Sequence, residues 1–134
     1  MPDFFFGQFQ NEHLDKIQKG VELFNSQMYW ECHEELEDHW MEDVTDNARY
    51  VYWVIIQAAT ACYHYRNQNL EGAKGQIQRA KEKIKKCREL KVETSILIEN
   101  LDWKNFTSLI ESIPENSTLE DYTNLYKYQF PKYW

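Results

Sequence analysis

Apolar residues at Leu14, Ile17, Val21 and Phe24 recur every three or four positions, the period of a helix that buries one face. The spacing predicts a first helix over about residues 11–24, with Asn11 as its N-cap. The polar run Asn25-Ser26-Gln27 leads into a second helix over about 29–44, and Thr45-Asp46-Asn47 breaks it and offers caps for the next. The third helix, about 48–66, is apolar almost all round, which marks it as the buried central element. Asn67-Gln68-Asn69 ends it. In the fourth, about 71–90, Ala73, Ile77, Ala80, Ile84 and Cys87 form one stripe opposite a basic face. A weaker fifth helix covers about 103–112, after a segment at 94–101 whose pattern favours no element. Pro114 ends it, and the aromatic tail 122–134 is expected to fold back on the body. Short connections between such helices predict an all-α antiparallel bundle or array of about five helices around a buried third helix.

Projecting the second helix at about 100° per residue sorts its side chains. Glu31, Glu35, Asp38 and Glu42 fall on a solvated acidic face. Tyr29, Trp30, Leu36, Trp40 and Val44 mark the apolar face, and His33 and Glu37 fall inside it, with Glu34 at its edge. On the third helix Arg49, Trp53, Gln57, Thr60 and His64 share an arc of about 80° in the same projection. Buried polar groups cost free energy unless they find partners. The two polar stripes are therefore expected to face each other or to share a cavity. The candidate pocket is His33, Glu34, Glu37, Trp40, Arg49, Trp53, Gln57, Thr60 and His64. A carboxylate four residues after His33 is also expected to be coupled to its imidazole.

Composition narrows the class. The chain has 134 residues, 43% hydrophobic and 28% charged, with only 4 Gly and 3 Pro. That excludes a disordered acidic tail and disfavours a turn-rich β fold, and the length fits one helical domain over 1–134. The net charge of −7 is uneven: residues 1–46 hold 12 acids against 2 bases, whereas 69–93 hold 8 bases against 4 acids. An acidic protein repels nucleic acid, and the basic helix carries interleaved Glu residues, so it reads as a solvated face. Three cysteines without a CxxC spacing point to a reducing compartment and to core packing rather than nucleophilic use. Phe4-Phe5-Phe6 is too short for the apolar region of a signal peptide, and the uncharged stretch between Arg49 and Arg66 is too short to span a membrane. A cytoplasmic location without membrane attachment is expected.

Metal and cofactor signals are weak. His33-Glu34 begins like an HExxH zinc motif, but Glu37 stands where the second His belongs. His33 and His39, six apart, point to different faces, and no Glu-x-x-His pair is present. His33, Glu37 and His64 form a two-His-one-carboxylate set only if the helices cross suitably. No metal and no cofactor are expected, and no Gly-rich phosphate loop or Ser/His/Asp order is visible.

The segment Phe24-Asn25…Tyr29-Trp30-Glu31-Cys32-His33-Glu34-Glu35-Leu36-Glu37…Trp40 resembles the DUF309 family of small helical proteins of unknown function. So does Val54-Ile55-Ile56-Gln57-Ala58-Ala59…His64…Gln68-Asn69…Gly72-Ala73. The resemblance covers about residues 10–90, leaving the helix and tail of about 94–134 outside it. Three family glycines are replaced here, by Gln27, Val54 and Gln68. The resemblance implies an all-α array with a functional His-Glu block and supplies no activity. Three readings follow. The first is a helical protein that binds a small ligand or partner between its second and third helices. The second is an acid–base enzyme using Glu37 with His33 or His64, its substrate held by Arg49. The third is an interaction scaffold, rich in aromatics, whose His/Glu network is purely structural.

Overall fold

The computed structural model describes residues 7–134; the Phe4-Phe5-Phe6 run lies outside them. Among the described residues the regular structure is entirely helical. Four long helices, α1 (Asn11–Asn25), α2 (Tyr29–Glu42), α3 (Arg49–Arg66) and α4 (Leu70–Glu89), are followed by the short α5 (Ser95–Asn100) and α6 (Trp103–Glu111). A 3₁₀ turn (Leu119–Tyr122) then runs into α7 (Thr123–Lys127). The unassigned segment around 94–101 is thus a helix, started by Thr94, whose hydroxyl accepts the Leu97 N–H and donates to the Phe9 carbonyl. Its six residues are too few for periodicity to reveal.

α3 is the centre. Val51, Tyr52, Val54, Ile55, Ile56 and every residue from Gln57 to Cys62 are buried, and α2 and α4 pack along it. α1 lies against α2, where Gly20 meets Leu36 so closely that a Cβ on Gly20 would collide with the leucine side chain. Ile17, Val21 and Phe24 of α1 and Ile77, Ala80 and Ile84 of α4 close the core, each large one contributing about 1.5–3 kcal/mol through burial. α1 starts one residue earlier than the Asn11 cap implied: Gln10 is the N-cap, and its N–H donates to His13 Nδ1 at 2.8 Å.

The tail does fold back. Asn25 clamps it, donating to the Phe130 carbonyl (3.0 Å) and accepting the Phe130 N–H (2.8 Å). The hydroxyls of Tyr29 and Tyr133 donate to the carbonyls of Tyr126 and Leu14. No helix among the described residues is long and apolar enough to cross a membrane.

The turns explain the missing glycines. α1, α3 and α4 each end in a turn whose two N–H groups bond back to the last helical carbonyls. After α1 these are Gln27 N–H to Phe24 and Met28 N–H to Leu23; after α3, Gln68 to Tyr65 and Asn69 to His64; after α4, Lys91 to Arg88 and Val92 to Cys87. This is the Schellman pattern, whose pivotal residue is left-handed and normally glycine. Here the pivots are Gln27 (φ 58°), Gln68 (φ 60°) and Lys91 (φ 55°). Gln27 and Gln68, two of the three positions where the resemblance implies glycine, therefore sit where the backbone takes glycine's conformation. A left-handed non-glycine residue costs about 1–2 kcal/mol, partly offset by the entropy glycine loses. Gln68→Gly is expected to raise stability by about 1 kcal/mol. Urea unfolding checks it, and an unchanged or lower midpoint would show that this turn is not left-handed.

Candidate functional site

Within α3 the polar side chains meet different fates. Thr60 is satisfied internally, its hydroxyl donating to the Ile56 carbonyl at 2.9 Å. Gln57 is 3% exposed, and its Oε1 is buried with no hydrogen-bond partner. Such an acceptor costs about 1–3 kcal/mol. Gln57 as a residue lines a cleft of about 260 Å³, together with His33 of α2, Trp53, Ile56 and Thr60 of α3, and Gln76 and Arg79 of α4. His33 Nδ1 is a second buried atom without a partner. Its Nε2 lies 3.4 Å from Glu37 Oε2, one turn along the helix, and its ring packs on Trp30 with centroids 4.9 Å apart.

The structure brings His33, Trp53, Gln57 and Thr60 to this cleft and sends the other pocket candidates elsewhere. Trp40 backs Trp53, ring on ring at 4.4 Å, away from the cleft lining. Arg49 is spent on Trp40: its guanidinium lies 3.7 Å above the indole and donates to the Trp40 carbonyl at 3.0 Å. His64 caps the far end of α3, 3.3 Å from the Asn69 amide and packed on Gly72. Glu34 is exposed. The Glu37 side chain is 43% exposed against 20% for His33, so the pair is a surface i,i+4 contact of a few tenths of a kcal/mol and not a buried couple. The apolar face of α2 is narrower than the projection implied, with Trp30 44% and Val44 63% exposed, because α1 and α3 cover only part of the helix. His33, Glu37 and His64 form no metal set, and no group of three or more His, Cys, Asp or Glu among the described residues could hold an ion.

Three larger depressions, of 320–400 Å³, lie at the α4–Pro114 contact, beside Tyr65 and Tyr126, and along the Lys83–Lys86 face. None contains a buried unpartnered polar atom. Gln76 and Arg79 had no distinguishing sequence signal, since they lie among the other polar residues of α4's basic face.

Sequence reading also missed a polar cluster where α1, α2 and α3 meet. His13 Nε2 lies 2.8 Å from Asp46 Oδ2, and Asp46 Oδ1 accepts the Ala48 N–H that opens α3. Both carboxylate oxygens of Asp43 accept from the Lys16 ammonium at 2.9 Å, and Oδ2 also accepts from the Tyr52 hydroxyl at 2.8 Å. The cysteines are free and buried, and burial pushes their thiols up, Cys87 to about 12, which removes them as nucleophiles.

The class defined by this geometry is a small all-α protein with a cleft between three of its helices. The family profile of DUF309, a domain of unknown function, matches residues 17–76. The match takes in α2, α3 and the first turns of α4, so every cleft residue except Arg79 lies within it. The chain is also 51% identical over 55 residues to the uncharacterized protein YpuF of Bacillus subtilis, a match over 40% of this chain and 31% of YpuF. The chain thus spans about a third of that relative's length. No solved structure matches.

The Asp43 cluster has a measurable signature. Burial pushes the Asp43 carboxyl up, but the hydrogen bonds from Lys16 and Tyr52 outweigh it and hold the group below its ordinary value. A carboxyl depressed on folding stabilises the fold above its unfolded value of about 3.9, and the contribution is lost as pH falls through the folded value. Asp43→Asn is expected to destabilise the protein near pH 7 and to flatten the acid limb of its stability curve. Parallel acid limbs for variant and parent in urea titrations would contradict this.

Proposed function

We propose that the protein binds a small molecule in the cleft between α2, α3 and α4, acting as a single helical domain in the cytoplasm. The observation that carries this reading is Gln57. A structural network would give its buried oxygen a protein donor, whereas a binding site keeps an acceptor free for a ligand. Binding sites are commonly retained at a cost to stability. Reduced, buried thiols fit the cytoplasm.

Replacement of Gln57 by an apolar side chain separates the alternatives. Gln57→Leu is expected to stabilise the ligand-free protein by about 1–2 kcal/mol, because it removes an acceptor that no protein group satisfies. Chemical denaturation reads the difference. A loss of similar size would show that Gln57 is a satisfied structural residue and would end the binding reading.

A further inference from the structure

The chain has four arginines, and three are engaged. Arg49 serves Trp40, Arg66 donates to the Gln27 carbonyl at 2.7 Å, and Arg88 makes a two-pronged pair with Glu111 at 2.8 and 3.0 Å. Arg79 makes no hydrogen bond or ion pair among the described residues. Arg79 is exposed, its guanidinium lies beside Gly75 one turn back on α4, and it lines the Gln57 cleft.

The same cleft offers an acceptor. Gln57 Oε1 can only accept. His33, whose Nδ1 is buried without a partner, lines the same cleft. An unpaired cation, an unpartnered amide oxygen and an indole brought to one cleft define the complement. At about 260 Å³ the space lies below the 300–1,000 Å³ of drug-sized sites. We propose that the cleft takes a small organic anion that also carries an N–H or O–H donor, its charge on Arg79 and its donor on Gln57 Oε1. This class assignment rests on the cleft being a binding site.

The test follows the Gln57 side-chain amide and the Trp53 indole N–H by NMR in the full ¹⁵N-labelled chain. The probes are L-lactate, glycolate and glycerol phosphate, each set against its neutral partner: lactamide, glycolamide and glycerol. Acetate and propionate serve as anions without the donor. At least one donor-bearing anion is expected to shift both signals saturably, with its neutralised partner and the donor-free anions about tenfold weaker or worse. Arg79→Gln should weaken that binding by about 10–100-fold, the worth of a charged hydrogen bond. Equal binding of acid and amide, or affinity unchanged in Arg79→Gln, overturns the anion assignment and leaves the cleft a binding site. Silence from every probe also overturns it. Silence together with a destabilised Gln57→Leu removes the binding reading as well.

Discussion

A helix buried on nearly every side leaves its polar side chains no exit to solvent. α3 imposes that constraint on the whole fold, since α2 and α4 pack along it and α1 lies against α2. Each polar residue on α3 must bond within the protein, reach past a helix end or face a space. Thr60 bonds to its own helix, Arg49 and His64 reach the two ends, and Gln57 faces a space. The cleft is the consequence of a central helix that carries one polar group more than the packing satisfies.

The surrounding helices come close because small residues and tight turns allow it. Gly20 lets α1 settle on Leu36, and Gly72 lets α4 start against the His64 ring. Three left-handed turns, two of them built on glutamine, reverse the chain within three or four residues and hold the long helices antiparallel. Asn25 then ties the C-terminal tail across the end of α1, and Phe130 joins Phe24 and Phe106 in one aromatic cluster. The left-handed glutamines keep the turn geometry at a cost in backbone strain.

Much of the fold was legible because each long helix repeats its apolar residues with helical period and ends in a polar break. The burial of α3 could be read from its near-uniform apolarity. The site was legible only in part. Gln57 stood out as a polar residue in an apolar helix, whereas Arg49 shared its arc yet found Trp40, nine residues back, across a turn no projection represents. Projection treats a helix as isolated, so it could not tell that α2 is covered over too narrow an arc to bury Glu37. Nor could it place Arg79, whose role depends on which part of α4 faces the gap beside α3. His13 and Asp46, 33 residues apart, were joined by the meeting of α1 with the α2–α3 turn, and nothing in their local sequence marks it.

The most direct measurement is a high-resolution crystal structure of the protein purified without exogenous ligands, with the Gln57 amide oriented from its hydrogen-bond distances. If α3 carries an acceptor that the protein leaves free, Gln57 Oε1 will bond only to solvent or to a bound small molecule in the α2–α3–α4 cleft. A protein donor within about 3.2 Å of that oxygen would make Gln57 part of a closed structural network and contradict the central claim.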